Sequence, residues 1–253
     1  MKDTKTDKNT LKFQQDCFAS YVGHIRKFVR QIPDPYVYPD GNPIRPVIPV
    51  KTVKNSIMLI GAFPSARFEK RNGVLIPAGD NLSPFASEEY FDGETVRRQA
   101  SRVRLEEDYF RQLHIDSNNI WITDIVKVYL FPEKHIKNCK LISPRIEFVN
   151  THRLFKQIAA ASSHWIEREI IICNPKLIIT LGEIPARTIS RDWLTPNKKL
   201  LNGVVKEVAL DKIYKIAHLG HPEIMRLDKN WRIFSEKAIS MLSEQIKIIQ
   251  TQQ

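Results

Sequence analysis

The sequence predicts a three-layer α/β/α fold around a central four-stranded parallel sheet. Short apolar runs alternate with longer stretches of helical periodicity, in the order strand–helix four times over. That alternation is the pattern of parallel strands joined by crossover helices on both faces. Several runs stop at glycine or proline, in GAFPS, LGEIP and LGHPE, as strands do where the chain turns out of a sheet. With 253 residues, 42% of them hydrophobic, the chain can build a sizeable core.

Each element has its own warrant. Residues 8–31 carry Phe13, Cys17, Tyr21, Ile25 and Val29 four apart, which predicts an amphipathic helix. The proline-rich QIPDPYVYPDGNPIRPVIPV follows and reads as an irregular strap, mostly a passive connector. Residues 1–50 are thus an N-terminal helix and strap, and 51–253 the α/β domain. Ser56–Ile60 predicts the first core strand. Phe63–Tyr90 reads as a long loop whose apolar and aromatic residues argue against disorder. Thr95–Leu113 reads as a helix with a basic face from Arg97, Arg98, Arg102 and Arg104. Ile120–Val126 predicts the second strand, and 144–173 helical sequence. Leu177–Leu181 predicts the third strand, Gly182 opens a short helix, Lys212–Ala217 is the fourth strand, and Asn230–Ile249 is a final amphipathic helix.

Lys and Arg number 39 against 28 Asp and Glu, a net charge of +11 that favours a polyanionic partner, nucleic acid above all. No apolar run reaches membrane-span length, and MKDTKTDKNTLK lacks the apolar stretch of a secretory signal, so the expectation is a cytoplasmic protein. Cys17, Cys139 and Cys173 form no C-x-x-C pair or zinc-finger spacing. His114, His135, His152 and His164 show no metal-ligand spacing either. No metal and no cofactor are expected.

Two loops, GAFPS (Gly61–Ser65) and HLGHPEIMR (His218–Arg226), each end an apolar run, with NPKLIITLGEIPARTI between them. In open α/β folds, sites form at the carboxyl ends of strands, so the two loops can meet over one pocket. In this order the three segments resemble the uracil-DNA glycosylase superfamily, over roughly residues 55–245. The resemblance implies excision of a base from double-stranded DNA with the target base flipped out. Some branches hold an iron–sulfur cluster on four cysteines, and three cannot supply it. A monomer is expected.

The resemblance also suggests residue roles. His221 matches the histidine that bonds the base oxygen where negative charge develops, although Glu223 stands where Ser is usual. Ile224 or Met225 would wedge into the gap left by the flipped base, with Arg226 on a phosphate or the orphaned base. GAFPS matches the family's G-x-x-P-small motif, but Ala62 and Phe63 replace its Asp, Glu or Asn. Either activity is lost or a carboxylate comes from elsewhere. Asp80 is the leading candidate to place the water, with Asn81 orienting it and Glu69 a weaker alternative. Ser65 occupies the position of the bulky Tyr that blocks C5 substituents in strict uracil enzymes. Phe85 resembles the Phe that stacks on the flipped base, and Phe63 is a second possible wall. Asp124 falls where relatives carry the base-reading Asn. An ionised carboxylate only accepts hydrogen bonds, which suits the exocyclic amine of cytosine better than uracil. Arg67, Arg97 and Arg98 could neutralise phosphates. Together these residues suggest a monofunctional glycosylase acting on C5-modified cytosine, hydroxymethylated or glucosylated as in some phage DNA. Uracil repair and non-catalytic DNA sensing stand as alternatives.

Overall fold

A computed structural model describes residues 7–251, with the backbone alone at Met225, Arg226 and 249–251. Four apolar segments become β1 (Ile57–Gly61), β6 (Trp121–Asp124), β7 (Leu177–Leu181) and β9 (Ile213–Leu219). These pair in parallel in the order β6-β1-β7-β9. A fifth strand, β8 (Lys206–Ala209), adds an antiparallel edge beside β9. Sequence reading missed it because Lys206, Glu207 and Ala209 are exposed and leave no apolar run.

The pleat sends alternate residues to two cores. Met58, Ile60, Trp121, Ile178 and Ile216 face one core, formed with helix α1 (Lys8–Phe28) and helix α5 (Phe155–Cys173). Leu59, Ile122, Ile179, Ala217 and Leu219 face the other, formed with Leu105–Leu113 and helix α9 (Lys229–Thr251). This is the expected three-layer arrangement. Helix α1 starts where the Asp7 carboxylate accepts from the amides of Asn9 and Thr10. It buries Phe13, Cys17, Tyr21 and Ile25 against α5, where the Tyr21 hydroxyl and Ser162 Oγ are 2.6 Å apart. The proline-rich strap is more than a connector, since Tyr36, Tyr38, Ile44 and Val47 are buried in it.

Three further elements depart from the expectation. Residues 63–90 are largely a hairpin of β2 (Ala66–Arg71) and β3 (Val74–Asp80). It turns at Asn72 and Gly73, both at positive φ, the geometry that an Asn-Gly pair favours in a two-residue hairpin turn. Val96 and Arg97 are not helical but form β5, paired with β4 (Tyr90–Phe91). The helix starts only with α2 (Ala100–Arg104), passes through a π-helical stretch at Leu105–Phe110, and ends as α3 (Arg111–Leu113). Helix α4 (Glu133–Ile142) lies before the helical region expected from sequence, and most of 144–150 is irregular. Helices α6 (Glu183–Ser190), α7 (Asn197–Leu200) and α8 (Pro222–Leu227) complete the chain.

Register places the site. Gly61 pairs with Asp124, Ile60 with Thr180, and Leu181 with Leu219, so the four parallel strands end level. From β1 the chain reaches β6 on one side and β7 on the other. That reversal opens a crevice at the carboxyl ends of β1 and β7, where ligands bind in open α/β sheets.

Candidate active site

A cleft of about 780 Å³ opens at this crevice. Gly61 controls its floor. A Cβ on Gly61 would fall within the Asp124 carboxyl and the Phe85 ring, so only glycine allows both groups to close over the end of β1. The Gly61 and Ala62 carbonyls accept from the amides of Ile125 and Val126 at 2.9 and 3.0 Å, extending the β1–β6 pairing into the loop. Phe85 is buried, with φ of +50°. A bulky residue in the left-handed region costs about 1–3 kcal/mol and persists where its surroundings hold it. Arg102 supplies part of that hold. It donates to the Phe85 carbonyl at 3.4 Å, to Ser117 Oγ at 3.1 Å and to Glu106 at 2.8 Å. Arg102 is 3% exposed, so it braces the cleft wall instead of joining a solvated basic face.

Asp124 is likewise 3% exposed. Burial raises its pKa to about 7, with the Lys127 ammonium opposing and the Glu169 carboxylate reinforcing the shift. Its carboxyl is therefore divided between neutral and ionised forms near neutral pH. Beneath it lies a buried network. Lys127 and Glu169 form an ion pair with no solvent exposure. The Lys127 ammonium also donates to Thr123 Oγ1 and to the Asp124 carbonyl at 2.7 Å. Glu169 accepts from Trp121 Nε1 and Thr123 Oγ1, both at 3.1 Å. Sequence reading missed this pair because Glu169 sits on α5, distant in sequence from Lys127.

His221 enters from the end of β9. It caps α8, and its Nδ1 accepts from the Glu223 amide at 3.2 Å. An Nδ1 that accepts leaves the proton of a neutral imidazole on Nε2. Enclosure in the cleft lowers the His221 pKa, with Glu223 opposing, which favours that neutral form. Tyr109, from the π-helical stretch, donates to the Gly220 carbonyl at 2.7 Å and fixes the turn before His221. Gly182, at φ of +98°, lies against the His221 Cβ and keeps the β7 turn close to it.

Ala62, Phe63, Ser65, Asn81, Phe85, Asp124 and His221 all line this one cleft, as do Arg97 and Arg98. Phe63 packs edge-on to His152 and Phe155, at 5.5 and 5.1 Å. Asn81 donates to the Ser65 carbonyl at 2.6 Å, which leaves its Oδ1 to accept. Arg97 and Arg98 are paired with Asp92 and Glu106. The segment after His221 is helical, not an open loop. Ile224 stands on its first turn and is not part of the cleft lining, while the Met225 and Arg226 side chains expected to join it lie outside the described residues.

Asp80 requires a correction. It ends β3 but turns from the cleft toward the strap, where it accepts from the Tyr38 hydroxyl at 2.7 Å and the Arg45 amide at 3.1 Å. It lines a separate hollow of about 530 Å³, together with Arg67. Tyr38 is almost fully buried and needs an acceptor, and that structural demand claims the carboxylate. Glu69 pairs with Arg71 and does not line the cleft either. Among the described residues, the carboxylates that do are Asp124, Glu183 and Glu223. Both oxygens of Glu183 are occupied, by Arg187 at 2.8 Å and Asn197 at 3.0 Å. Sequence reading also missed a further part of the lining, supplied by Phe68, Tyr90, Gln99, Tyr129, Lys134 and His135. The one local signal for it was Asn72-Gly73, which marks the hairpin that carries Phe68.

No curated protein matches the chain closely. The model of the uracil DNA glycosylase superfamily matches residues 50–247, spanning the sheet, the cleft and most of α9. The strand-end cleft, its glycine floor and the His221 turn all fall within that match. On this match and this architecture, the chain belongs to the uracil DNA glycosylase superfamily.

Proposed function

We propose that the protein is a monofunctional DNA glycosylase that excises C5-modified cytosine from double-stranded DNA, as a defence against foreign genomes. The observation that carries this reading is the Asp124 carboxyl, buried over Gly61 beside the Phe85 ring. A flipped base stacked on Phe85 would present its edge to that carboxyl. Cytosine offers an amine donor at N4 and an acceptor at N3. Neutral Asp124 matches both, accepting from N4 and donating to N3, and ionised Asp124 still accepts from N4. Uracil offers O4 and N3–H. It suits the neutral acid, but an ionised carboxylate would set lone pairs against O4. Ser65 lines the cleft, and its small side chain would leave room at C5. Removal of plain cytosine would destroy the host genome, so a mark at C5 is required.

Chemistry follows from the same side chains. Cleavage at C1′ leaves negative charge on the departing base. Neutral His221, with its proton on Nε2, would donate to the base oxygen where that charge collects. With Asp80 committed to Tyr38, Asn81 Oδ1 is the group assigned to hold the attacking water. A lyase step is not assigned, because Lys127 is spent on Glu169 and Lys134 stands on α4, which packs against β3.

A pH series on two substrates tests the assignment of Asp124. In the wild type, release of modified cytosine should fall several-fold between about pH 6 and about pH 8, as the second bond is lost on ionisation. Asp124→Asn cannot ionise. It should flatten that limb and raise uracil release relative to modified cytosine by about tenfold or more. An unchanged substrate ratio in Asp124→Asn would remove Asp124 as the base reader.

A further inference from the structure

The cleft is larger than a flipped base requires. A volume of about 780 Å³ falls in the range, roughly 300–1,000 Å³, that encloses a drug-sized ligand. Phe85, Asp124 and His221 account for part of its lining. The same lining also holds Gln99, Lys134 and an aromatic wall that the excision chemistry does not use. His135 stacks on Tyr129 with rings 6.2 Å apart and 13° from parallel, and its Nδ1 is bonded to the Tyr129 hydroxyl. Phe68 packs edge-on to His135 at 5.1 Å. The Phe68 amide in turn donates to the Tyr90 hydroxyl at 3.1 Å, which ties the hairpin to this wall.

Gln99 is the informative group. Its Oε1 is shielded from solvent and has no hydrogen-bond partner among the described residues. Buried acceptors are nearly always satisfied, so an orphan in a cleft wall points to a missing donor. Gln99 precedes α2 but its side chain makes no capping bond there, so the helix does not explain its presence. A phosphate would not satisfy it, because a phosphodiester oxygen accepts and cannot donate. The neighbouring guanidinium groups already pair with carboxylates, Arg97 with Asp92 and Arg98 with Glu106. A neutral, hydroxyl-rich group fits better. Its hydroxyls would donate to Gln99 and accept from Lys134, and its C–H faces would lie on the aromatic wall.

We infer that Gln99, Lys134, His135, Tyr129 and Phe68, which line this cleft, form a subsite for a hexosyl group carried on the C5 substituent of the flipped base. The subsite rests on the modified-cytosine reading and names the substituent. Ser65 lines the same cleft and directly precedes the strand that carries Phe68. Selectivity then has two independent parts: Asp124 reads the ring edge, and the Gln99 wall reads the sugar.

The test separates binding from excision. Duplexes carrying one hydroxymethylcytosine or one glucosylated hydroxymethylcytosine are titrated by fluorescence anisotropy into His221→Ala protein, so that the base is retained. The glucosylated duplex should bind more tightly. In His221→Ala/Gln99→Leu, which keeps the side-chain volume and removes the acceptor, that preference should shrink about tenfold. Equal affinity for the two duplexes, or a preference that survives Gln99→Leu, overturns the subsite. Base release by wild type is followed in parallel on the same duplexes and on a uracil duplex. Release of uracil alone would defeat the modified-cytosine reading, whereas the anisotropy result decides the subsite whatever base is released.

Discussion

His221→Ala should lower the rate of base release by about 10²–10³-fold while the protein still binds DNA, the loss typical of removing one preorganised donor to a developing oxyanion. The size of the effect follows from the site. The imidazole is held by the Glu223 amide on Nδ1, its turn is fixed by Tyr109, and enclosure favours the neutral form. All three arrange Nε2–H before the reaction begins, so little reorganisation is needed as charge develops. The donor acts on the transition state and not on the uncharged base, so the loss should appear in single-turnover rate with little change in duplex affinity. The pH dependence has a definite sign. Protonation would put a hydrogen on Nδ1, displace the Glu223 amide and undo the cap. With the His221 pKa lowered, that loss should come only below the ordinary histidine range, on the acid side of the Asp124 limb. A His221→Ala enzyme that kept wild-type single-turnover rates would remove this residue from the chemistry.

The largest effect on stability should come from Lys127→Met. Glu169 would then be a fully buried carboxylate with two neutral donors, Trp121 and Thr123, and no cation. Breaking a buried pair by removing one partner costs about 3–5 kcal/mol. A domain of this kind is stable by only about 5–15 kcal/mol in total. Urea denaturation should therefore show a large fall in midpoint at constant slope. The double variant Lys127→Met/Glu169→Leu removes both charges and should recover most of the loss, because apolar replacement of a whole buried pair is often neutral. That comparison keeps the claim testable if the single variant does not fold. Asp124 supplies a second readout. The Lys127 ammonium holds the Asp124 carbonyl, so a stable double variant should still show a disturbed substrate ratio. A single variant as stable as wild type would mean that the pair does not support the end of β6.

The parallel sheet was legible because its strands are buried on both faces and read as continuous apolar runs. Leu177–Leu181 has the same limits in sequence and structure, and α1 follows its four-residue spacing to within a few residues. The glycine and histidine at the strand ends were legible because close turns admit few residue types. The missed elements lacked those signals. β8 is short and largely exposed, and α4 follows directly on the buried stretch that ends at Phe131. The β2–β3 hairpin did carry a signal, Asn72-Gly73, which was lost inside what read as one long loop. The site was legible where one segment supplies a whole feature, as at His221 or Gly61. Where a side chain's role depends on a distant partner, it was not. Asp80 read as a turn carboxylate facing the cleft, but Tyr38 in the strap claims it. Arg102 read as a surface cation, but Phe85 and Glu106 enclose it. Gln99, just before α2, and Lys134 and His135, on α4, are distant in sequence, and only the folded chain brings them to one cleft.

The central claim is that this cleft releases a C5-modified cytosine, and mass spectrometry of the released base tests it most directly. Purified protein would be incubated with uracil-containing DNA, unmodified DNA, and phage DNA bearing glucosylated hydroxymethylcytosine. The modified base should appear from the phage DNA alone, with release lost in His221→Ala. Free uracil without modified cytosine would contradict it and make the protein a repair enzyme. Tight DNA binding with no base released from any of the three would contradict it as well, and would mark the absence of a carboxylate at Ala62 and Phe63 as the loss of catalysis.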